Sequence, residues 1–528
     1  MGHQTLRRRR SHVSSGDNHA LPCTARVFRR RHSLGSDMVM NVKVLHTLAV
    51  AALLLGLSLN TSARAQCVPD YSGVTLDVAT RTAPFIASAI EMAAVSWEQQ
   101  TCGKVNVIEV PFDQLYQTLV DAFAPGKARF DVITFGPFWT PDFAPYLTEM
   151  PMAMRQTESW RDIHPVYRDR LMVWDGRFLS QTIDGDLHSL FYRLDLFKDE
   201  QEKQRFQDKY GYELGPPTTW QQYYDIAAFF TRPDLNLWGT AEAYRRGGEQ
   251  FWFFFTHAAA YANHPDFPGS MFFDPETMDA QVNNPGWVKA LEDYIHGLNV
   301  APPGALGFTS EDIHNIFAGG SVAMNFDWGD TGVNAAYSDN SLVRGNVGSA
   351  LLPGSKRIWN YKTKQWDEFA EPVRSPFMAY GGWQAAVPAN SDSIPAAWNF
   401  IEHLSSPGVS GQAVISLGSG INPYRYSHLE NVNRWLKIFT QDEAQMYLDA
   451  QLDSLNAPNV ALDMRIPGYF AYTQALEEQL VRALNFETSP QRALDNVAAA
   501  WNEITDQLGR DTQRAAYRAS MGLEVGGS

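Results

Sequence analysis

An α/β protein built on a parallel sheet is what this 528-residue sequence predicts, and three observations carry the prediction. Apolar alternation at Val74, Leu76 and Val78 in "VTLDVATRT" (74–82) marks a strand. Ile86, Ile90, Ala94 and Trp97 share one face of "PFIASAIEMAAVSWEQQTCG" (84–103), which marks a helix stopped by Gly103. The same succession then repeats: "KVNVIEVPF" reads as a strand, "FDQLYQTLVDAFAPGKARF" as helix and turn, and "DVITFGPFWTPDFAPY" as a third strand entering a loop. A β-α-β-α-β order of this kind gives parallel strands, with ligands beyond their carboxyl ends.

Further along, "SQTIDGDLHSLFYRLDLF" (180–197) holds a turn at Asp184–Asp186 and an extended crossing. Thr219 and Gln222 fit a capping box at the start of a helix, and "LNLWGTAEA" (235–243) reads as a short strand broken at Gly239. "GWVKALEDYIHGL" reads as a helix, and "SEDIHNIFAGGSVAMNFDWGD" as helix, glycine turn, strand and loop. "GGWQAAVPANS" reads as a strand and "IPAAWNFIEHLSS" as a helix. Ser489 and Pro490 supply the cap and first turn of a late helix whose apolar face is Leu494, Val497, Trp501, Ile504 and Leu508.

Charge divides the chain. Residues 1–65 carry ten Arg/Lys against two Asp, or +8, so the remainder carries −23 to give the net −15. An acidic body of this size is a poor general ligand for nucleic acid or anionic membrane. The basic front end fits export: Lys43, an apolar run over Leu45–Leu59, then Ala63-Arg64-Ala65 at a cleavage position. That run falls short of the ~20 residues of a spanning helix. A signal peptide is therefore expected at 38–65, after an extension over 1–37. In an exported chain Cys67 and Cys102 are the two cysteines left, which makes a disulfide between them the expected state.

Six stretches in this order resemble the extracellular solute-binding proteins of ABC importers, in the carbohydrate family that includes maltose-binding and glycerol-3-phosphate-binding proteins. They are "WEQQTCGKVNVIEVPF", "GKARFDVITFGPFWTPDFAPYLTEM", "LFYRLDLF" with "YGYELGPPTTWQQYYDIAAFF", "IFAGGSVAMNFDW", "GGWQAAVPANSDSIPAAWNFIEHLSSP" and "GSGINPYRYSHLE". The resemblance covers roughly 70–510 and implies a two-lobed, type II-like binding-protein fold. The first lobe would take about 70–186 and 386–463, the second about 190–382 and 464–515, and 516–528 would be a tail. Hinge crossings would fall near 186–190, 382–386 and 463, with the ligand in the cleft. By position, Trp328 matches a tryptophan that stacks on sugar, Asp186 an acid that bonds sugar hydroxyls, and Phe135 an aromatic ending strand three. The next loop departs, carrying Phe138 and Trp139 where charged residues stand in the maltose-binding protein.

Sugar C–H faces pack on indoles, and sugar hydroxyls need donors and acceptors in a dry pocket. On that chemistry Trp139, Trp238, Trp383, Asp330 and Arg425 join the candidates, each weighed against a core ring, a capping acid or a structural ion pair. Tyr469 and Tyr472 read as core. A glycoside hydrolase would need a carboxylate pair such as Asp184/Asp186 or Asp327/Asp330, and a protein-binding receptor would need neither. No Gly-x-Ser-x-Gly elbow, His-Glu-x-x-His or phosphate loop is present. The expectation is a periplasmic, monomeric, non-enzymatic receptor that passes a sugar or polyol to ABC permease subunits, without cofactor or metal.

Overall fold

Strand β1 (Thr75–Arg81) buries Leu76 and Val78, and α1 (Phe85–Thr101) buries Ile86, Ile90 and Trp97 against it. This computed structural model describes residues 67–124, 126, 129–247 and 249–523; the extension and signal peptide expected over 1–65 lie outside them. Helix α1 ends at Cys102, in the left-handed region and bridged to Cys67 with 5.8 Å between Cα atoms. Gly103 follows because the Trp97 ring lies over it: an added Cβ would come within 2.6 Å of that ring.

The chain continues through β2 (Lys104–Val110), α2 (Phe112–Ala122), β3 (Val132–Phe135) and β4 (Gln181–Thr182) to β5 (His188–Arg193). Then come α3 (Trp220–Phe230), α4 (Gln250–Ala262), α5 (Ser310–Ala318), β6 (Met324–Trp328), α6 (Asp330–Tyr337) and β7 (Val347–Ala350). Short strands β8 (Phe377–Met378) and β9 (Gln384–Ala386) precede α7 (Gln441–Leu455), β10 (Ala461–Leu462), α8 (Tyr469–Leu484), α9 (Pro490–Leu508) and α10 (Arg510–Ser520).

Among the described residues two larger sheets frame the two lobes, with three two-stranded sheets beside them. The first runs β2-β1-β3-β9-β4; β1, β2 and β3 are parallel, and β9 enters antiparallel between β3 and β4. The second, β6-β5-β7, is antiparallel throughout. Between β4 and β5 the chain passes from the first sheet to the second, and after β7 it returns to the first at β9 by way of β8, which pairs with β10 in a separate two-stranded sheet.

Four expectations change. Residues 235–243 form no strand; Trp238 makes only an isolated bridge to Val322. Helix α7, expected in the first lobe, lies on the second sheet: the Glu443 carboxylate accepts from Val347 N at 2.8 Å and Gln451 Nε2 donates to Ser189 Oγ at 3.0 Å. The segment expected as a tail from 516 begins as part of α10, because Tyr517 is buried and donates to Gly269 O at 2.7 Å. At the N-terminus of α3, Thr219 accepts from Gln222 N at 3.2 Å, but the Gln222 side chain returns to Thr218 N rather than to the cap itself.

Candidate functional site

Arg81 ends β1, Phe138 and Trp139 follow β3, Asp184 and Asp186 follow β4, and Trp383 leads into the reversed β9. All stand at the same end of the first sheet, where a parallel sheet presents its ligand crevice. The second sheet contributes the end of β6 and the start of α6, which is the stretch "FDWGD".

That stretch divides its labour. Asp327 is fully buried; its carboxylate accepts from Trp328 N at 2.9 Å and Thr331 Oγ1 at 2.7 Å, and stands 3.0 Å from His314 Nε2. It fixes the turn and does not face the cleft. Trp328 donates Nε1 to Ala379 O at 3.0 Å, bracing β6 against the second crossing, while its ring packs edge-on to His188 at 4.5 Å. Gly329 is glycine because a Cβ there would lie 2.6 Å from the Tyr447 hydroxyl and 2.7 Å from Asn422 Oδ1. Asp330 opens α6 half-buried at the cleft.

The first crossing supplies two buried carboxyls. Asp184 Oδ1 accepts from Asn422 N at 2.6 Å and Gly185 N at 2.8 Å, and Asp186 Oδ1 accepts from Asn422 Nδ2 at 2.7 Å. Burial raises both carboxyls, Asp184 to about 7, and the Asp184 charge raises Asp186 further. An aspartate raised in this way binds protons more tightly folded than unfolded. Its stabilising contribution is full below the unfolded value of about 3.9 and is lost as pH rises through about 7. Asp184→Asn keeps an oxygen for both backbone donors and removes the ionisation. The gap between thermal midpoints at about pH 5 and about pH 8 is expected to narrow in this variant. An unchanged gap would show that Asp184 does not titrate there. Across the cleft, burial opposes charging of His314, but the Asp327 and Asp330 carboxylates outweigh it and hold His314 at about 9, a cation at neutral pH.

The cleft is one seam of three adjoining chambers. The central chamber, about 40 Å³, is walled by Asp184, Asp186, Trp328, Asp330, Tyr380 and Trp383. A polar chamber of about 170 Å³ shares Phe85, His314, Asp330 and Gly420 with it and is edged by the loop Ser416–Gly420. An aromatic chamber of about 250 Å³ shares Glu249 with the central one and is walled by Phe112, Tyr116, Trp139, Phe251, Trp252 and Phe470. The Tyr380 hydroxyl and Asn422 Oδ1, both buried, have no hydrogen-bond partner among the described residues.

Of the residues expected from sequence, Asp186, Trp328, Asp330 and Trp383 meet in the central chamber, and Trp139 walls the aromatic one. Three do not meet the cleft. Phe135 points into the first lobe's core against Phe143. Trp238 stands beside Val322 in the second lobe. Arg425 is buried on the backbone oxygens of Ser159 and Ser405, with Asp162 at 3.4 Å. A guanidinium already holding three acceptors is a structural tie, not a ligand contact. Sequence reasoning missed Arg81, Glu249, His314, Tyr380 and Asn422. The strand-end rule points to Arg81, and Tyr380 adjoins the glycines before Trp383; nothing local marks Glu249.

The pattern described as bacterial extracellular solute-binding protein matches residues 80–410. No curated protein matches the chain significantly. Among solved structures, a solute-binding protein of an ABC transporter from Agrobacterium radiobacter K84, in complex with ribitol, is similar at 21% identity and TM-score 0.67, over 82% of this chain and 100% of that one. The maltose-bound MalE3 of T. maritima is similar at 20% identity and TM-score 0.66, over 82% and 100%. A solute-binding protein from Agrobacterium vitis S4 with bound D-mannitol is similar at 18% identity and TM-score 0.63, over 83% and 99%.

Proposed function

This chain belongs to the bacterial extracellular solute-binding proteins, and from that premise we propose that it captures a sugar or polyol in the periplasm and delivers it to an ABC permease. The observation that carries the reading is the central chamber. There the carboxyls of Asp184, Asp186 and Asp330 stand beside the rings of Trp328 and Trp383. Acceptors at the rim of apolar ring faces suit a molecule with hydroxyls on its edge and C–H groups on its faces. The similar structures described with ribitol, maltose and D-mannitol support the same class.

The mechanism is capture and closure without bond breaking. Ligand held by one lobe gains contacts from the other, and it favours the closed form only by its differential affinity for the two forms. The lobes pivot on the segments between β4 and β5, between β8 and β9, and ahead of α7. The signal peptide at 38–65 directs export, and the protein acts as a monomer.

Native mass spectrometry of protein purified without refolding, followed by isothermal titration with polyols and sugars, tests the reading. A carried-over polyhydroxy compound and saturable heat without turnover are expected. Silence toward the whole panel, with a charged or apolar compound carried over instead, would overturn it.

A further inference from the structure

The central and aromatic chambers adjoin at Glu249, and an ion pair stands at that junction beside the ring contacts of Phe112 with Tyr380 and Trp383. Arg81 NH1 meets Glu249 Oε1 at 3.1 Å. The guanidinium carbon lies 4.7 Å from the ring centre of Phe85, which walls the central chamber, and 5.2 Å from that of Phe112, which walls the aromatic one. Glu249 holds its place from the opposite lobe: its second carboxylate oxygen accepts from Ser310 Oγ, and its own backbone sits at φ 72°, an uncommon conformation for a residue with a side chain. Arg81 and Glu249 therefore form a partition anchored on both lobes.

We propose that the Arg81–Glu249 pair sets the length of ligand the cleft accepts. With the pair made, a short polyol or single sugar ring occupies the central and polar chambers. A longer saccharide places a further ring in the aromatic chamber, which Phe112, Trp139 and Phe470 wall, and to reach it the ligand must replace the pair with its own hydroxyls. Arg81 is about a quarter exposed but Glu249 only 8%, so a ligand that parts them must supply hydroxyl donors to the Glu249 carboxylate in place of the guanidinium. This inference rests on the carbohydrate reading of the cleft and adds the division of that cleft.

The test uses the mature chain and a mixture of ribitol, D-mannitol, maltose, maltotriose and maltoheptaose, with bound masses read by native mass spectrometry and affinities by titration. Glu249→Gln keeps the shape and the Ser310 bond while discharging the pair; Arg81→Met removes the charge and leaves a chain between the two rings. Each is expected to shift the ratio of maltotriose to ribitol affinity by about tenfold toward the longer probe, the scale of adding one pocket contact. Unequal effects in the same direction from the two variants still support the partition. Wild-type binding with the same ratio in both variants would overturn it and leave the carbohydrate reading standing. Absence of any bound probe in all three proteins would overturn both.

Discussion

The Gly382→Ala protein is expected to lose about 3 kcal/mol of stability or more, the largest effect of any single methyl near the cleft. Gly382 sits at φ 86° between β8 and β9, and a Cβ there would overlap the carbonyl oxygen of Asp184 and lie 3.2 Å from Asp186 N. Two crossings touch at this point through backbone alone. The neighbouring atoms belong to the main chain, so no side chain can swing away. Gly73 separates the two costs. It has a similar φ of 85°, and a Cβ there would meet nothing within 4 Å, so Gly73→Ala encounters conformational strain only, about 1 kcal/mol. Denaturant unfolding of both variants checks the comparison. Equal losses would show that the crossings are not in contact. Because Asp184 and Asp186 flank the clash, Gly382→Ala is also expected to weaken ligand capture in whatever fraction stays folded.

Trp328→Ala is expected to act twice. Its ring is buried against His188, Phe253 and Trp252, and truncating such a ring costs about 3–5 kcal/mol of stability. Lost packing on the ligand should weaken binding by a further 1–3 kcal/mol or so, about the worth of burying one large apolar side chain. Trp328→Phe keeps an aromatic face but leaves Ala379 O without its indole donor. It should therefore lose about 1–3 kcal/mol of stability while keeping most of the affinity. Titration at a temperature where all three proteins are folded decides the matter: an unchanged dissociation constant for Trp328→Ala would exclude the stacking role. In that case Trp328 would serve only as the brace between β6 and the second crossing.

Part of this was legible in the residues because local spacing is enough for it. Period-two alternation marks β1, period 3.6 marks α1, and Ser489-Pro490 marks the start of α9, where Ser489 Oγ accepts from Arg492 N. Glycines and aromatics side by side pointed to Trp328 and Trp383, since close backbone approach and a ring face are both written in residue type. Spacing misled where a residue's partner was remote. Trp238 and Arg425 have the types a sugar site uses, and only their neighbours show that one packs within the second lobe and the other ties Ser159 to Ser405.

The order of strands and helices, the pattern of an export signal, and the ring and acid types that a hydroxyl-rich ligand needs are all properties of the chain read end to end. Which of those groups face one another is a property of the folded molecule alone. Arg81 and Glu249 lie 168 residues apart, and Asp186 and Asn422 lie 236 apart. Contacts at such separations follow from how two sheets are set across a crossing chain. No pattern within a turn of helix or a run of strand encodes that placement, because hydrophobic periodicity fixes which face is buried and not which distant charge it will meet.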